Sequence, residues 1–346
     1  MLTENEILSR HIGNNPGLLS TGRDQYFFGH GKLLLSGEYF VLDGADALAL
    51  PTKLGQSLSV RYSSSFEPKL NWKSYDCHGK LWFEANFEFW RFNILDENPS
   101  DDMVELQKLL RQARSQNSHF LRDDVDVYVE TVLDFPRDWG LGSSSTLIYN
   151  LAQWAYVSPF ELLFKTQGGS GYDIACAQSE GPILYKKNST GPQWSQTLFN
   201  PSFKEQLFFV HLGKKQNSRK AIEYYNKMRP YAPEVISTLS SITTDLVKCE
   251  TLSEFEFLIR AHELFVSKTL DLVPAKTEYF SDYWGEVKSL GAWGGDFVLV
   301  TSHKDQSETM KYFEDKGFNV VIPYRELIMS GSQVDNSGVE LGKTLH

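Results

Sequence analysis

Pro136-Arg137-Asp138-Trp139-Gly140-Leu141-Gly142-Ser143-Ser144-Ser145 is the stretch on which the reading of this chain turns. Before it, Val125, Val127 and Val129 alternate with Asp126, Tyr128 and Glu130, the period of a strand, up to Leu133. After it, Leu147, Leu151, Trp154 and Ala155 recur at helical spacing between Thr146 and Tyr156. The stretch is therefore a loop that leaves a strand and enters a helix. Glycine has no Cβ, so the backbone at Gly140 and Gly142 can approach a ligand closely. The helix start adds unpaired N–H groups and a partial positive charge. Together these suit an anion such as a phosphate. Ser143, Ser144 and Ser145 can cap the helix, bind a phosphate oxygen or hold a metal ion. A tight turn with a serine cap is the purely structural alternative. The loop lacks the Gly-Lys-[Ser/Thr] ending of a Walker A loop. Neither it nor Gly168-Gly169-Ser170-Gly171-Tyr172 contains the Gly-x-Ser-x-Gly of a hydrolase elbow.

Two further glycine segments abut regular elements. Gly168 to Asp173 sets an acidic residue at the end of a flexible turn, and Gly291-Ala292-Trp293-Gly294-Gly295-Asp296 precedes a strand at 297–302. Elsewhere the pattern predicts short strands at 32–35 and 39–42 around Ser36-Gly37-Glu38, and others at 58–62, 81–92, 183–186, 206–212 and 319–322. Helices are predicted at 101–115, with Asp101 as N-cap, and at 160–165, 218–228, 254–268 and 307–316. His262-Glu263 lacks the second histidine of a zinc helix, because position 266 is Val, and both are expected on a solvated helix face. Strands and helices mix without a regular βαβ period, which favours an α+β fold. The turn-rich Asn188-Ser189-Thr190-Gly191-Pro192 suggests a domain break near 190–205, dividing the chain into 1–200 and 201–346.

The composition narrows the class. Of 346 residues 41% are hydrophobic and 23% charged, an ordinary globular balance. With roughly 150 residues per domain, the length suits about two domains. Acidic residues number 44 against 34 basic ones, a net charge of −10, which argues against a general nucleic-acid binder. Cys77, Cys176 and Cys249 are odd in number and scattered, so neither a disulfide framework nor a structural zinc site is expected. No apolar run approaches the roughly 20 residues of a membrane helix. The first ten residues have no apolar stretch of a signal peptide. The expectation is a cytoplasmic protein with no nucleic-acid or membrane partner.

Four segments fall in one order along most of the chain: Gly31-Lys32-Leu33-Leu34-Leu35-Ser36-Gly37-Glu38-Tyr39, Pro136 to Ser145, Gly169-Ser170-Gly171-Tyr172-Asp173, and Gly291 to Asp296. They resemble the motifs of the GHMP kinases, the superfamily of galactokinase, homoserine kinase, mevalonate kinase and phosphomevalonate kinase. The first resembles a Pro-Gly-Lys segment leading to Gly-Glu, with His30 in place of the proline. The second resembles the ATP phosphate loop Pro-x-x-x-Gly-Leu-Gly-Ser-Ser-Ala and departs from it only at Ser145. The third resembles the segment of the family's catalytic aspartate. The fourth resembles a glycine-rich motif, with Trp293 in place of a glycine. Gly213-Lys214-Lys215-Gln216-Asn217-Ser218 is similar to a substrate-side loop.

The resemblance implies the two-domain GHMP kinase fold: an N-terminal domain with a left-handed βαβ crossover, a C-terminal ferredoxin-like domain, and an active site between them. It also implies ATP and Mg²⁺ as cofactors and a small-molecule acceptor. Gly-Glu-Tyr at 37–39, Gly-Ser-Gly-Tyr-Asp at 169–173 and Gly-Gly-Asp at 294–296 are more similar to phosphomevalonate kinases, with mevalonate the second acceptor. A kinase of another acceptor such as a sugar, or a non-catalytic nucleotide-binding relative, is the alternative. On this resemblance Asp173 takes or orients the acceptor proton, and Lys32 stabilises its ionised form and polarises the acceptor. Gly140, Leu141, Gly142, Ser143, Ser144 and Ser145 would wrap the nucleotide phosphates. Ser144 and Glu161 are expected at Mg²⁺; Glu38, Ser170, Gly171, Ser218, Arg219, Gly294 and Gly295 are expected at the substrate. The cluster Lys214, Lys215, Arg219 and Lys220 is expected to read a phosphate on the acceptor. A homodimer is one expectation for its assembly.

Overall fold

Strand β1 (Gln25–Ser36) enters the fold half-exposed and ends buried at Leu33, Leu34 and Leu35. It pairs antiparallel with the 18-residue β2 (Ala47–Ser64). The second strand expected at 39–42 is absent. Gly37 and Tyr39, at φ 87° and 63°, turn the chain, and a 3₁₀ segment at Phe40–Asp43 buries Phe40 and Val41 instead. In this computed structural model the described residues are 24–122, 125–214, 218–291, 293 and 296–331, with the backbone alone at 218–220.

β2 is the hub of a seven-stranded sheet. Its edge away from β1 pairs antiparallel with β5 (Val125–Leu133) and, nearer its start, with β6 (Ile183–Asn188). β3 (Lys69–Tyr75) and β4 (Leu81–Glu88) continue beyond β5, and β7 (Gly191–Gln196) continues beyond β6. β3 and β5 run parallel, joined through β4 and helix α1 (Asp101–Gln116). Ser100, not Asp101, caps α1: its hydroxyl accepts from the Met103 N–H. Helices α2 (Ser143–Ala155) and α3 (Pro159–Thr166) pack with α1 on one face of this sheet, around Trp72, Phe87, Leu110, Ile148 and Leu162. The short α4 (Tyr172–Ala177) leads into β6.

The second sheet is built from β8 (Leu207–His211), β9 (Val287–Ser289), β10 (Phe297–Thr301) and β11 (Val321–Pro323). Its spatial order is β11-β8-β10-β9, antiparallel throughout. Between β8 and β9 run α5 (Ser218–Lys227), α6 (Pro233–Lys248), α7 (Leu252–Leu270) and α8 (Ala275–Tyr279); α9 (Gln306–Asp315) links β10 to β11, and α10 (Tyr324–Leu327) follows. Helices after the first and third strands and this order make the arrangement ferredoxin-like. The fold is α+β. Among the described residues no helix is long and apolar enough to cross a membrane.

One apolar seam joins the sheets. Leu33, Leu50 and Leu133 of the first meet Phe209, Phe297 and Leu299 of the second, with Leu246, Phe255 and Ile259 from α6 and α7. Each such buried side chain contributes roughly 1.5–3 kcal/mol. The seam therefore holds the loops at its rim in one arrangement. On α7 the buried stripe is Phe255, Leu258, Ile259, His262, Glu263, Val266 and Leu270. His262 and Glu263 are thus interior rather than solvated, because they continue the helical spacing of their apolar neighbours.

Candidate active site

The glycine loop between β5 and α2 is shaped by what lies against it. Gly140 and Gly142 sit at φ 65° and 90°, the left-handed region where side chains strain. A Cβ on Gly140 would lie 2.2 Å from Asp296 Oδ2, and one on Gly142 3.2 Å from Lys32 Cγ. Trp139 packs edge-on against Phe297, with ring centres 5.4 Å apart, and so anchors the loop to the second sheet. Ser143, Ser144 and Ser145 open α2, where the first N–H groups have no acceptor within the helix. With Gly140, Leu141 and Gly142 they line a cavity of about 1250 Å³.

Lys32 is pinned to this loop twice. Its backbone N–H donates to Leu141 O (2.9 Å), and its Nζ donates to Gly140 O (3.0 Å). The same Nζ lies 3.4 Å from Asp173 Oδ1, with 14% of the lysine and 25% of the aspartate side chain exposed. Asp173 stands in the first turn of α4, after Gly171 at φ 96°. Burial disfavours the Lys32 charge, but Tyr172, Asp173 and Asp296 outweigh it and raise its pKa, so the ammonium persists at neutral pH. Burial raises the Tyr172 phenol, which stays neutral there. Lys32, Gly140, Asp173 and Asp296 line both the large cavity and an adjoining one of about 140 Å³, which Tyr39, Tyr172 and Leu290 also line. A lysine–aspartate pair and a glycine loop that opens a helix thus meet where two cavities join, an arrangement able to hold two molecules side by side.

No protein-family model matches the sequence, and no curated protein matches it. Solved structures do. Mevalonate kinase from Methanococcus jannaschii superposes with a TM-score of 0.63 at 14% identity, covering 86% of this chain and 96% of that one. Phosphomevalonate kinase from Streptococcus pneumoniae, solved with phosphomevalonate and AMPPNP, gives 0.63 at 16%, covering 86% and 99%. Galactokinase from Lactococcus lactis, solved with galactose, gives 0.57 at 14%, covering 90% and 95%. The chain has the GHMP kinase fold.

Within the GHMP kinase fold, the residues expected at the site separate into groups. Lys32, Asp173, Ser170, Gly171 and the whole run from Gly140 to Ser145 are brought to the same cavity. Ser144 Oγ donates to Gln167 Oε1 (2.8 Å), which lines that cavity too. Glu161 does not reach it. Ser158 caps α3 through the Glu161 N–H, and the carboxylate pairs with Lys165 at 2.5 Å on an exposed face. Its placement favours the helix N-terminus rather than a metal. Glu38 is fully buried, 2.6 Å from Lys288 Nζ, and lines neither cavity. A side chain with no exposed surface leaves a substrate nothing to touch. Lys214 also lines neither cavity: it is solvent-exposed and donates to Tyr279 OH (2.9 Å). Gly294, Gly295 and Lys215 lie outside the described residues, as do the side chains of Ser218, Arg219 and Lys220.

Sequence reasoning passed over several residues that line the large cavity, among them Asp296, Glu105, Lys187 and Arg229. Asp296 had a signal, since it closes the third glycine segment. Its N–H donates to Lys214 O (2.7 Å) and its carbonyl accepts from the Leu212 N–H (2.8 Å), so the backbone around β8 sets it against Gly140. Lys187 and Arg229 follow no motif, and no local pattern marks them. Trp293, which stands where the resembled motif has a glycine, is 7% exposed and packs with Phe40, Tyr225 and Val266 in the interior.

Proposed function

We propose that this protein is an ATP- and Mg²⁺-dependent kinase of a small acid, phosphomevalonate or mevalonate. The observation that carries the reading is the Lys32–Asp173 pair, at 3.4 Å, where the phosphate-loop cavity meets the smaller one. The phosphomevalonate and AMPPNP bound to the Streptococcus pneumoniae neighbour support the choice of ligands.

The residues present fit both cofactors. Gly140 and Gly142 let the loop backbone pass close against Asp296 and Lys32, and the start of α2 beside them offers N–H groups that suit phosphates. Mg²⁺ takes oxygen ligands and keeps several waters when it binds with phosphates. The cavity offers the Ser144 hydroxyl and the Glu105 carboxylate, whose buried Oε2 has no hydrogen-bond partner among the described residues. Among the described residues no three His, Cys, Asp or Glu side chains form a metal site of their own. The donor set therefore suits a metal that arrives with the nucleotide. ATP would supply the phosphoryl group, and Mg²⁺ would offset charge on its oxygens.

The chain's own groups do the positioning. The first N–H groups of α2 and the loop backbone face the phosphates. Asp173 accepts the acceptor's proton or orients its oxygen in line. Lys32, held charged by its carboxylate neighbours, stabilises negative charge at the transfer point. The test is ADP release from ATP with mevalonate, phosphomevalonate and galactose, with and without Mg²⁺. Turnover with an acid and Mg²⁺ is expected. ATP binding without turnover on any acceptor would overturn the kinase reading in favour of a non-catalytic relative.

A further inference from the structure

Apart from the loop at 214–220, of whose basic side chains only Lys214 is described, the cavity carries basic residues of its own. Lys187, near the end of β6, and Arg229, just past α5, line the same cavity as Asp173. Lys187 Nζ donates to Gly169 O at 2.7 Å and lies 5.4 Å from the centre of the Phe164 ring. An ammonium carries three N–H bonds, so two remain for a ligand. Gly168 and Gly169 have nothing within 4 Å of where a Cβ would stand, so the backbone beside Lys187 borders open space. Arg229 faces Asp43 with Nε (2.9 Å) and Nη2 (2.8 Å) and lies 5.2 Å from the centre of the Tyr225 ring. Among the described residues its Nη1 makes no hydrogen bond.

These contacts fix both heads without consuming them. Asp43 also accepts from the Tyr225 hydroxyl, so the carboxylate that orients the guanidinium is shared. Glu223 is the other acid close by along the chain on this cavity wall. Burial and the nearness of Arg229 lower the Lys187 pKa, with Asp43 acting against them. Two cations are thus held together against their own repulsion, which an arriving anion would relieve. With Nε and Nη2 on Asp43, the Arg229 guanidinium offers its Nη1 side to a carboxylate or phosphate oxygen, and Lys187 adds a point charge.

We propose that Lys187 and Arg229 form the acceptor's anion subsite, binding the carboxylate or phosphate of a small acid whose hydroxyl or phosphate end meets Asp173. The proposal rests on the kinase reading above, and its test reads binding rather than turnover. Phosphomevalonate, mevalonate and galactose are titrated calorimetrically into the AMPPNP-loaded protein and into its Lys187→Gln/Arg229→Gln variant. The acids should bind the variant roughly 10- to 100-fold more weakly. AMPPNP affinity should stay within about twofold, which also certifies the fold, and Lys187→Arg should retain acid binding within about threefold. A larger loss for phosphomevalonate than for mevalonate assigns the subsite to the phosphate; equal losses assign it to the carboxylate. Should the double variant fail to fold, Arg229→Gln alone, at an exposed side chain, carries the same reading. Acids that bind the variant as tightly as the native protein, or that do not bind the native protein at all, overturn the subsite. Acid binding with no ADP release would instead overturn the kinase reading and leave the subsite standing.

Discussion

A short way apart on one segment, Lys32 and Glu38 each meet a partner of opposite charge, and the two pairs are built for different ends. Lys32 and Asp173 are 3.4 Å apart, partly exposed, and open to two cavities. Glu38 and Lys288 are 2.6 Å apart with no exposure at all. Lys288 also lies 3.6 Å from Glu263, which accepts from the N–H and hydroxyl of Ser289 (3.0 and 3.1 Å). His262 completes the cluster: its Nε2 accepts from the Gly37 N–H (3.2 Å), and burial pushes its pKa well down, so it stays neutral. The sealed cluster ties the turn after β1 to α7 and β9, and Tyr39 next to Glu38 reaches the smaller cavity. The same chemical pair is open to a ligand in one place and sealed as a clamp in the other.

Substitutions should separate the two pairs. The largest effect is expected at the open one. Asp173→Asn should lower kcat by on the order of 10²–10⁴-fold, and Lys32→Met by on the order of 10²-fold or more, with the urea midpoint almost unmoved. Near-native turnover in either variant would remove that residue from the transfer. Next comes the sealed pair. Lys288→Met leaves the buried Glu38 carboxyl without its ion-pair partner and should cost about 3–5 kcal/mol in urea unfolding, while AMPPNP affinity of the folded protein changes little. A loss below about 1 kcal/mol would mean that the cluster is not a clamp.

The third effect is smaller and depends on pH. One ammonium faces two carboxylates, and burial pushes Glu263 up to about 8, with Glu38 adding to the rise. A carboxyl whose pKa is raised on folding stabilises the protein at low pH, and that contribution is lost as pH rises through the folded value. His262 works the other way. It stays neutral when folded, so stability falls as pH drops below the ordinary 6.5. Between about 6.5 and about 8 Glu263 contributes a fall in unfolding free energy with rising pH of up to about 1.4 kcal/mol per unit, in the same direction as Glu38, which burial also raises. Glu263→Gln should flatten that slope; a slope unchanged in the variant would place the proton elsewhere. The smallest effect is expected at Glu161. Glu161→Gln should shift the Mg²⁺ concentration for half-maximal rate by less than about twofold, since an exposed pair with Lys165 is worth little. A tenfold shift would return Glu161 to the metal.

The sequence by itself determined what neighbours along the chain decide. Alternation marked β5, helical spacing marked α1 and α2, and glycines before a helix marked the sharp loop that opens α2; each signal depends on backbone preference within a few residues. The motif order was also legible, and with it Lys32 and Asp173. Even the buried place of His262 and Glu263 was written in the stripe from Phe255 to Leu270, obscured because polar residues seldom continue such a stripe. Only the tertiary structure decided what long-range contact decides. It put a 3₁₀ segment at Phe40–Asp43 in place of the strand expected at 39–42, because Phe40 and Val41 bury there. It set Asp296 against Gly140 and sealed Glu38 onto Lys288. It also left Glu161 facing solvent and brought Lys187 and Arg229 to one wall. A side chain's charge and reach are properties of its residue type, but whether it meets water, a partner or a ligand is set by which distant segments pack around it.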